Sequence, residues 1–211
     1  MITTLISIFG SKTKAQEILL IQKNVKDVVR QGFYEQELLK VEQYCKKKNL
    51  FCIRSKFKIV LADDTGYSNK GFRVPEQDAR QGMYFVYISR DEEKAWLAAY
   101  YELINNHTDL GLLLGYPECC VKFFSTQFNE HNSNPEHVPT NHFTNITKRD
   151  KDAVLISHFP CSSECEKSIE LAKTYLAVLT KEDVQRAEEL LEEIRVTQSQ
   201  SQQDNGQNPL H

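Results

Sequence analysis

The sequence predicts a mainly helical α+β fold with a small sheet of two or three short strands. Apolar residues recur at helical spacing along most of the chain, whereas residues 51–62 and 83–88 show patterns typical of strands. With 211 residues, 40% of them hydrophobic, the chain is long enough to bury a core. No apolar run approaches the roughly 20 residues that cross a bilayer, which argues against a membrane span.

Two helices are expected before the first strand. The first runs from residue 11 to about residue 31, because apolar residues recur near helical spacing until Gly32. The second fits residues 35–49, which carry a further apolar stripe. Its inward-facing side chains are expected to be Leu38, Leu39, Val41 and Tyr44.

The spacing of the apolar residues changes after residue 50. Residues 51–62 interleave apolar and basic side chains, which predicts a strand. Residues 63–81 are rich in glycine, aspartate, asparagine and proline, and this composition predicts a long loop. Residues 83–88 are expected to form a second strand that pairs antiparallel with the first.

Two helices are predicted in the middle of the chain. A capping box at residues 89–92 opens the first of them, whose apolar positions include Trp96 and Tyr100. Pro117 suits the first turn of the next helix, which extends to about residue 128. Residues 129–150 lack periodicity and are expected to form a loop.

The C-terminal part is predicted to begin with a short strand at residues 153–157. Ser163 and Glu166 have capping-box spacing and are expected to open a helix, followed by a last helix over residues 181–195. Three parts result from these assignments. They are a basic N-terminal part (1–62), a cysteine-bearing region packed in the same domain (63–196) and a disordered polar tail (197–211).

The charge is distributed unevenly along the chain. Residues 1–58 carry a formal charge of +7 and the remainder carries −10. One hypothesis is therefore a nucleic-acid-binding module in which any metal is only structural. The basic residues that support it are Lys46, Lys47, Lys48, Arg54, Lys56 and Lys58.

The N-terminus does not resemble a signal peptide. Its apolar stretch is short, and Lys12 and Lys14 follow that stretch instead of preceding it. We therefore expect a cytoplasmic protein with reduced cysteines and no membrane partner. The sequence also lacks a glycine-rich phosphate loop and the GxSxG and HExxH motifs, so nucleotide hydrolysis and the common hydrolase mechanisms have no support.

Four of the six cysteines form two pairs, and this is the most informative feature of the sequence. Cys119 and Cys120 are adjacent, Cys161 and Cys165 follow after forty intervening residues, and both pairs lie where helices are predicted to begin. A helix N-terminus stabilises a thiolate through its free amide groups and partial positive charge. Four converging thiolates would suit a metal centre.

The pattern leaves the nature of the centre open. Adjacent helical residues point about 100° apart, which favours separate corners of an iron–sulfur cluster over one zinc ion, so the cluster is the first hypothesis and zinc the second. Metal-free redox thiols and inert core cysteines are further alternatives, because free cysteine is often buried. Cys45 and Cys52 are expected to belong to the core.

Two segments resemble the signature blocks of the prokaryotic domain-of-unknown-function 483 family. These are LGYPECCVKFF at residues 114–124 and HFPCSSECEKSIELAKTYL at residues 158–176. The resemblance implies no established activity. It implies a match to the family pattern at Gly115, Tyr116, Pro117, Cys119, Cys120, His158, Pro160, Cys161, Ser162 and Cys165.

His158 is the candidate catalytic residue, because it precedes Cys161 by three positions and could carry a proton beside the centre. The other histidines considered are expected to be solvated, and Asp63 and Asp64 to belong to a turn. Those histidines are His131, His137 and His142. The functional prediction is thus a cytoplasmic protein with a four-cysteine metal site, catalytic if one position stays open to substrate.

Overall fold

The computed structural model describes residues 2–62, 71–129, 132, 135 and 137–193. Among these residues it is mainly helical, with two small antiparallel sheets, which confirms the predicted α+β class. The turn proposed at Asp63 and Asp64, the loop residue His131 and the tail 197–211 lie outside the described residues.

The N-terminal region differs from the predicted long helix. Helix α1 spans Ile2–Phe9, helix α2 ends at Gln22 after beginning at Lys12, and strand β1 spans Val28–Phe33. Asn24 adopts a left-handed φ of 59°, which breaks the helix. Val28 and Val29 are both buried because the two faces of β1 are covered, so the strand shows no alternation in its sequence.

The predicted strand over 51–62 is two strands. After helix α3 (Glu35–Lys47), strand β2 spans Phe51–Arg54 and strand β3 spans Phe57–Leu61. Ser55 lies between them, where its hydroxyl donates to the Phe57 carbonyl at 2.7 Å and its backbone amide donates to Phe85 at 2.8 Å. A short side chain that bonds the backbone in this way interrupts regular pairing.

The three-stranded sheet has the order β1–β5–β2, with β5 (Tyr84–Ser89) in the centre. Both of its neighbours pair antiparallel, as predicted for β2. Strand β4 (Gly71–Pro75) lies in the predicted long loop and pairs with β3 in the second sheet. One face of the larger sheet packs on α1 to α3, and the other packs on helix α4 (Glu92–Leu103).

The N-cap of helix α4 (Glu92–Leu103) is two residues later than the predicted cap, Ser89. Asp91 is the N-cap, accepting from the Lys94 amide at 3.2 Å, while the Ser89 hydroxyl accepts from Asp91. Ala95 and Ala98 face the sheet, and Trp96 is 53% exposed. Small residues on the buried face let the helix approach the strands closely.

Helices α5 (His107–Leu113) and α6 (Glu118–Gln127) follow, and they carry the first cysteine pair toward the core.

The segment 153–157 is irregular and not a strand. Its backbone carbonyls at Val154 and Leu155 accept from the Gln16 side chain, at 3.4 and 3.5 Å, instead of from a neighbouring strand. A buried polar side chain thus replaces strand pairing there.

The C-terminal helices are α7 (Glu166–Glu182) and α8 (residues 184–193). Ser163 does not cap α7, since its hydroxyl accepts from the backbone amides of Thr140 and Asn141 at 2.7 and 3.0 Å. Cys165 takes the N-cap position instead. A residue at a helix start is free to bond an adjacent loop when another residue caps the helix.

Close packing between α5 and α6 gives a first prediction. A methyl group added at Gly111 would lie 2.8 Å from Cγ2 of Val121, in the first turns of α6. Gly111→Ala is therefore expected to lower the free energy of unfolding by about 1–3 kcal/mol through overpacking. Denaturant titration measures the change.

Gly115→Ala is the matched control for that prediction. Gly115 has a φ of +77° and nothing within 4 Å of an added Cβ, so this variant meets only backbone strain, about 1 kcal/mol. Wild-type stability in Gly111→Ala would contradict the close contact. A larger loss in Gly115→Ala than in Gly111→Ala would contradict the proposed difference between packing and strain.

Candidate metal centre

The turn before α6 places the first cysteine pair. Gly115 adopts a left-handed conformation that ends α5, and Pro117 then forms the N-cap of α6. The Pro117 carbonyl accepts from the amides of Cys120 and Val121, both at 2.9 Å. Cys119 and Cys120 consequently lie in the first turn of α6, as the sequence predicts.

The second pair lies at the start of α7, with one difference from the prediction. Cys165 is the N-cap, and its amide donates to the Ser162 carbonyl at 3.2 Å. Cys161 precedes the helix and belongs to the turn that leads into it. The turn folds back so that both pairs meet.

The four cysteines form one cluster. All four Sγ atoms lie within 4.8 Å of one another, which places them to hold a metal ion. The Sγ of Cys119 is 3.9 Å from that of Cys120 and 3.7 Å from that of Cys165, and the last two are 3.6 Å apart. The sulfurs of the adjacent Cys119 and Cys120 thus lie close together, although a helix sets the directions of neighbouring side chains about 100° apart.

Hydrogen bonds support the buried part of the cluster. The Cys161 amide donates to the Sγ of Cys120 at 3.3 Å, and the Ser168 hydroxyl lies 3.2 Å from the same sulfur. Ser168 also favours the thiolate of Cys165. Such donors stabilise thiolates in a partly desolvated site.

The cysteines consequently differ in acidity. Burial acts to raise the pKa of Cys165, but its bonds with Ser168, Cys120 and Cys161 outweigh burial and lower the pKa to about 7. Burial and the neighbouring sulfurs raise the pKa of Cys161 to about 11. Burial also raises the pKa of Cys120 above its ordinary value. The cluster therefore favours one thiolate before a cation binds.

His158 lies behind the cluster and contacts Ser168. Its Nε2 is 2.8 Å from the Ser168 hydroxyl, and its ring lies 5.0 Å from the ring of Tyr116. Burial, together with the charges of Lys26 and Arg149, lowers the pKa of His158 to about 3. A neutral imidazole is thus held one side chain away from the sulfurs, and its catalytic role stays a prediction.

A buried ion pair lies behind Tyr116. The Lys26 ammonium donates to Glu17 at 2.7 Å, and the Glu17 carboxylate also accepts from Ser157 at 2.8 Å and from Gln31 at 3.2 Å. The Tyr116 hydroxyl is 3.4 Å from the Ser157 hydroxyl. This network connects helix α2, the turn after it and strand β1 to the segment before Cys161.

Sequence reasoning missed Ser168 and the ion pair. Ser168 has a signal, because it follows Cys165 by three positions, where an N-cap residue finds its partner. Glu17 and Lys26 have no such signal, since each resembles a solvated residue until both faces around β1 are covered.

The remaining candidates lie away from the cluster. Cys45 is buried and Cys52 packs against the same core, as expected. His137 lies against the ring of Phe123, and His142 belongs to a short 3-10 helix. Neither belongs to the cysteine group.

Two residues of the predicted basic surface have structural partners. Arg54 pairs with Glu76, and the Lys58 ammonium donates to backbone carbonyls at Asp78 and Arg80. The exposed lysines of that surface are Lys46, Lys47, Lys48 and Lys56. Nucleic-acid binding stays a prediction.

Comparison with known proteins supports the resemblance seen in the cysteine segments. Residues 96–195 match a family described as "Protein of unknown function (DUF483)", and this stretch contains all four clustered cysteines. No curated protein and no solved structure matches the chain. Within the described residues, no helix is both long and apolar enough to pass through a bilayer.

Proposed function

We propose that this chain binds one metal ion through Cys119, Cys120, Cys161 and Cys165, and that the ion is zinc. The distances between the sulfur atoms carry the proposal. A tetrahedral ion with metal–sulfur bonds of about 2.3 Å requires sulfurs about 3.8 Å apart. The three pairs among Cys119, Cys120 and Cys165 lie at 3.6, 3.7 and 3.9 Å.

The same distances favour one ion over an iron–sulfur cluster. In a cluster the four cysteines are divided among two or more iron atoms, so iron–sulfide bonds separate the sulfurs that bind different irons in addition to the iron–cysteine bonds. A group of sulfurs that all lie within 4.8 Å has the size of a single coordination shell. Zinc is therefore favoured over the iron–sulfur cluster, which was the first hypothesis from the adjacent cysteines.

The ligand set supports a closed site. Four thiolates complete a tetrahedron, whereas catalytic zinc sites keep a position for water or substrate. His158 is bonded to Ser168 and does not belong to the cysteine group. The proposed ion therefore holds α6 against the start of α7, and the reactivity of the site comes from its sulfurs.

Metal analysis of the full chain tests the proposal. Protein purified without oxygen is expected to be colourless and to contain about one zinc per chain. Substitution with cobalt is expected to give the intense visible absorption of a tetrahedral thiolate complex, because d–d bands are strong in that geometry. Brown protein with comparable iron and acid-labile sulfide would establish the cluster instead, and metal-free protein with unchanged stability on chelation would reject both.

A further inference from the structure

The four sulfurs divide into an inner pair and an outer pair. The inner pair, Cys120 and Cys165, is 1% and 7% exposed; the Ser168 hydroxyl lies 3.2 Å from the sulfur of Cys120, and Ser168 also favours the thiolate of Cys165. The Cys161 amide adds a further bond to Cys120. The inner sulfurs are thus shielded from solvent and share their negative charge with hydrogen-bond donors.

His158 fixes the direction of the hydrogen bond between Ser168 and Cys120. Ser168 has a single hydroxyl proton, so when it donates that proton to Cys120 its oxygen accepts from Nε2–H of His158 at 2.8 Å. Nδ1 of His158 is then the unprotonated nitrogen, and within the described residues it has no hydrogen-bond partner. A neutral histidine with one proton on Nε2 therefore holds Ser168 as a donor toward the inner pair.

The outer pair has different surroundings. Cys119 is exposed and Cys161 is half-buried. Among the described residues, no N–H or O–H group donates a hydrogen bond to the Sγ of either cysteine, and their hydrogen-bond partners are neighbouring sulfurs. A metal-bound thiolate without such donors keeps more of its charge, and an exposed one can meet a reagent.

From this asymmetry we propose that Cys119 is a metal-activated nucleophile that accepts an alkyl group from a soft carbon electrophile. The proposal rests on the metal site proposed above and adds a substrate class to it. The lone pair of the Cys119 thiolate forms the sulfur–carbon bond, and the leaving group departs with the electron pair of its bond to carbon. No proton moves and nothing is oxidised or reduced, because the metal already holds the sulfur as a thiolate.

Limited alkylation of the zinc-loaded full chain tests the proposal. Iodoacetamide is the probe, and peptide mass spectrometry gives the rate at each cysteine while zinc content is measured in the same samples. Cys119 is expected to react first, at least about tenfold faster than Cys120 and Cys165, with Cys161 second. Zinc-loaded protein in which an inner cysteine or Cys161 reacts as fast as Cys119 overturns this proposal and leaves the metal site intact.

Two variants provide controls. In Cys119→Ser protein that retains zinc, the fast phase is expected to be absent and not transferred to another cysteine, whereas Cys52→Ser, outside the cluster, is expected to leave the rate at Cys119 unchanged. A fast phase in zinc-loaded Cys119→Ser assigns the nucleophile elsewhere and overturns the proposal. Protein that holds no zinc overturns both this proposal and the metal site.

Discussion

Replacing Cys120 with serine is expected to abolish tight zinc binding and, with it, the dependence of fold stability on zinc. A hydroxyl is a poor ligand for zinc in place of a thiolate, and Cys120 is a buried member of the cluster, with neighbouring sulfurs at 3.6 and 3.9 Å. Wild-type protein with free zinc at about 1,000 times its dissociation constant gains about 4 kcal/mol. The measurement is denaturant unfolding with zinc and with a chelator.

Cys52→Ser is the control for this experiment. Cys52 packs against the main core away from the cluster, so its variant is expected to keep the full difference between zinc and chelator, whatever its own stability. An equal zinc dependence in Cys120→Ser and wild type would show that the stabilising ion binds elsewhere.

Replacing Lys26 with methionine is expected to destabilise the fold by about 3–5 kcal/mol. The Lys26 and Glu17 side chains are 2% and 11% exposed, so the change leaves a buried carboxylate without its cation. Lys26→Met combined with Glu17→Met removes both charges, and is expected to recover much of the loss. Chemical denaturation of the two variants and wild type measures the difference.

The ion pair also makes the stability of the fold depend on pH. Burial opposes ionisation of Glu17, but the charge and hydrogen bond of Lys26 outweigh it and keep the pKa of Glu17 below its ordinary value. Stability from a lowered pKa is present above the unfolded-state value of about 4.3 and is lost as pH falls through the folded-state value. The double variant is expected to lose that part of the acid dependence. If its acid dependence equals that of wild type, the stabilising role of the pair is wrong.

The sequence was sufficient to predict the helices that carry the cysteines, but it was not sufficient to predict the strands of the sheet. Pro117 and the Gly115 turn mark the start of α6 locally, and α3 also follows its predicted bounds closely. In contrast, β1 is covered on both faces, so Val28 and Val29 are both apolar and fit the apolar spacing of a helix. Which face of a strand is covered depends on distant elements, and local periodicity does not contain that information.

The cysteine cluster was likewise predictable only in part. Two pairs of a rare residue at helix starts were enough to predict that Cys119, Cys120, Cys161 and Cys165 meet. The size of the sulfur group was not predictable, because side-chain rotation decides whether adjacent cysteines diverge or converge. The support from Ser168 and His158 likewise depends on how α7 packs behind α6.

The separation of the two cysteine pairs along the chain has a consequence for the unfolded state. Cys120 and Cys161 are 41 positions apart, so an ion bound by both closes a long loop. A cross-link over about 40 residues removes roughly 4 kcal/mol of chain entropy in the loop-closure relation used for disulfides. Before the ion binds, the chain itself must supply that ordering through the packing of α5 on α6 and of Gln16 on residues 154–155. Metal capture is therefore expected to follow the folding of the sheet and its helices, with the ion locking two helix starts that the rest of the molecule has already brought together.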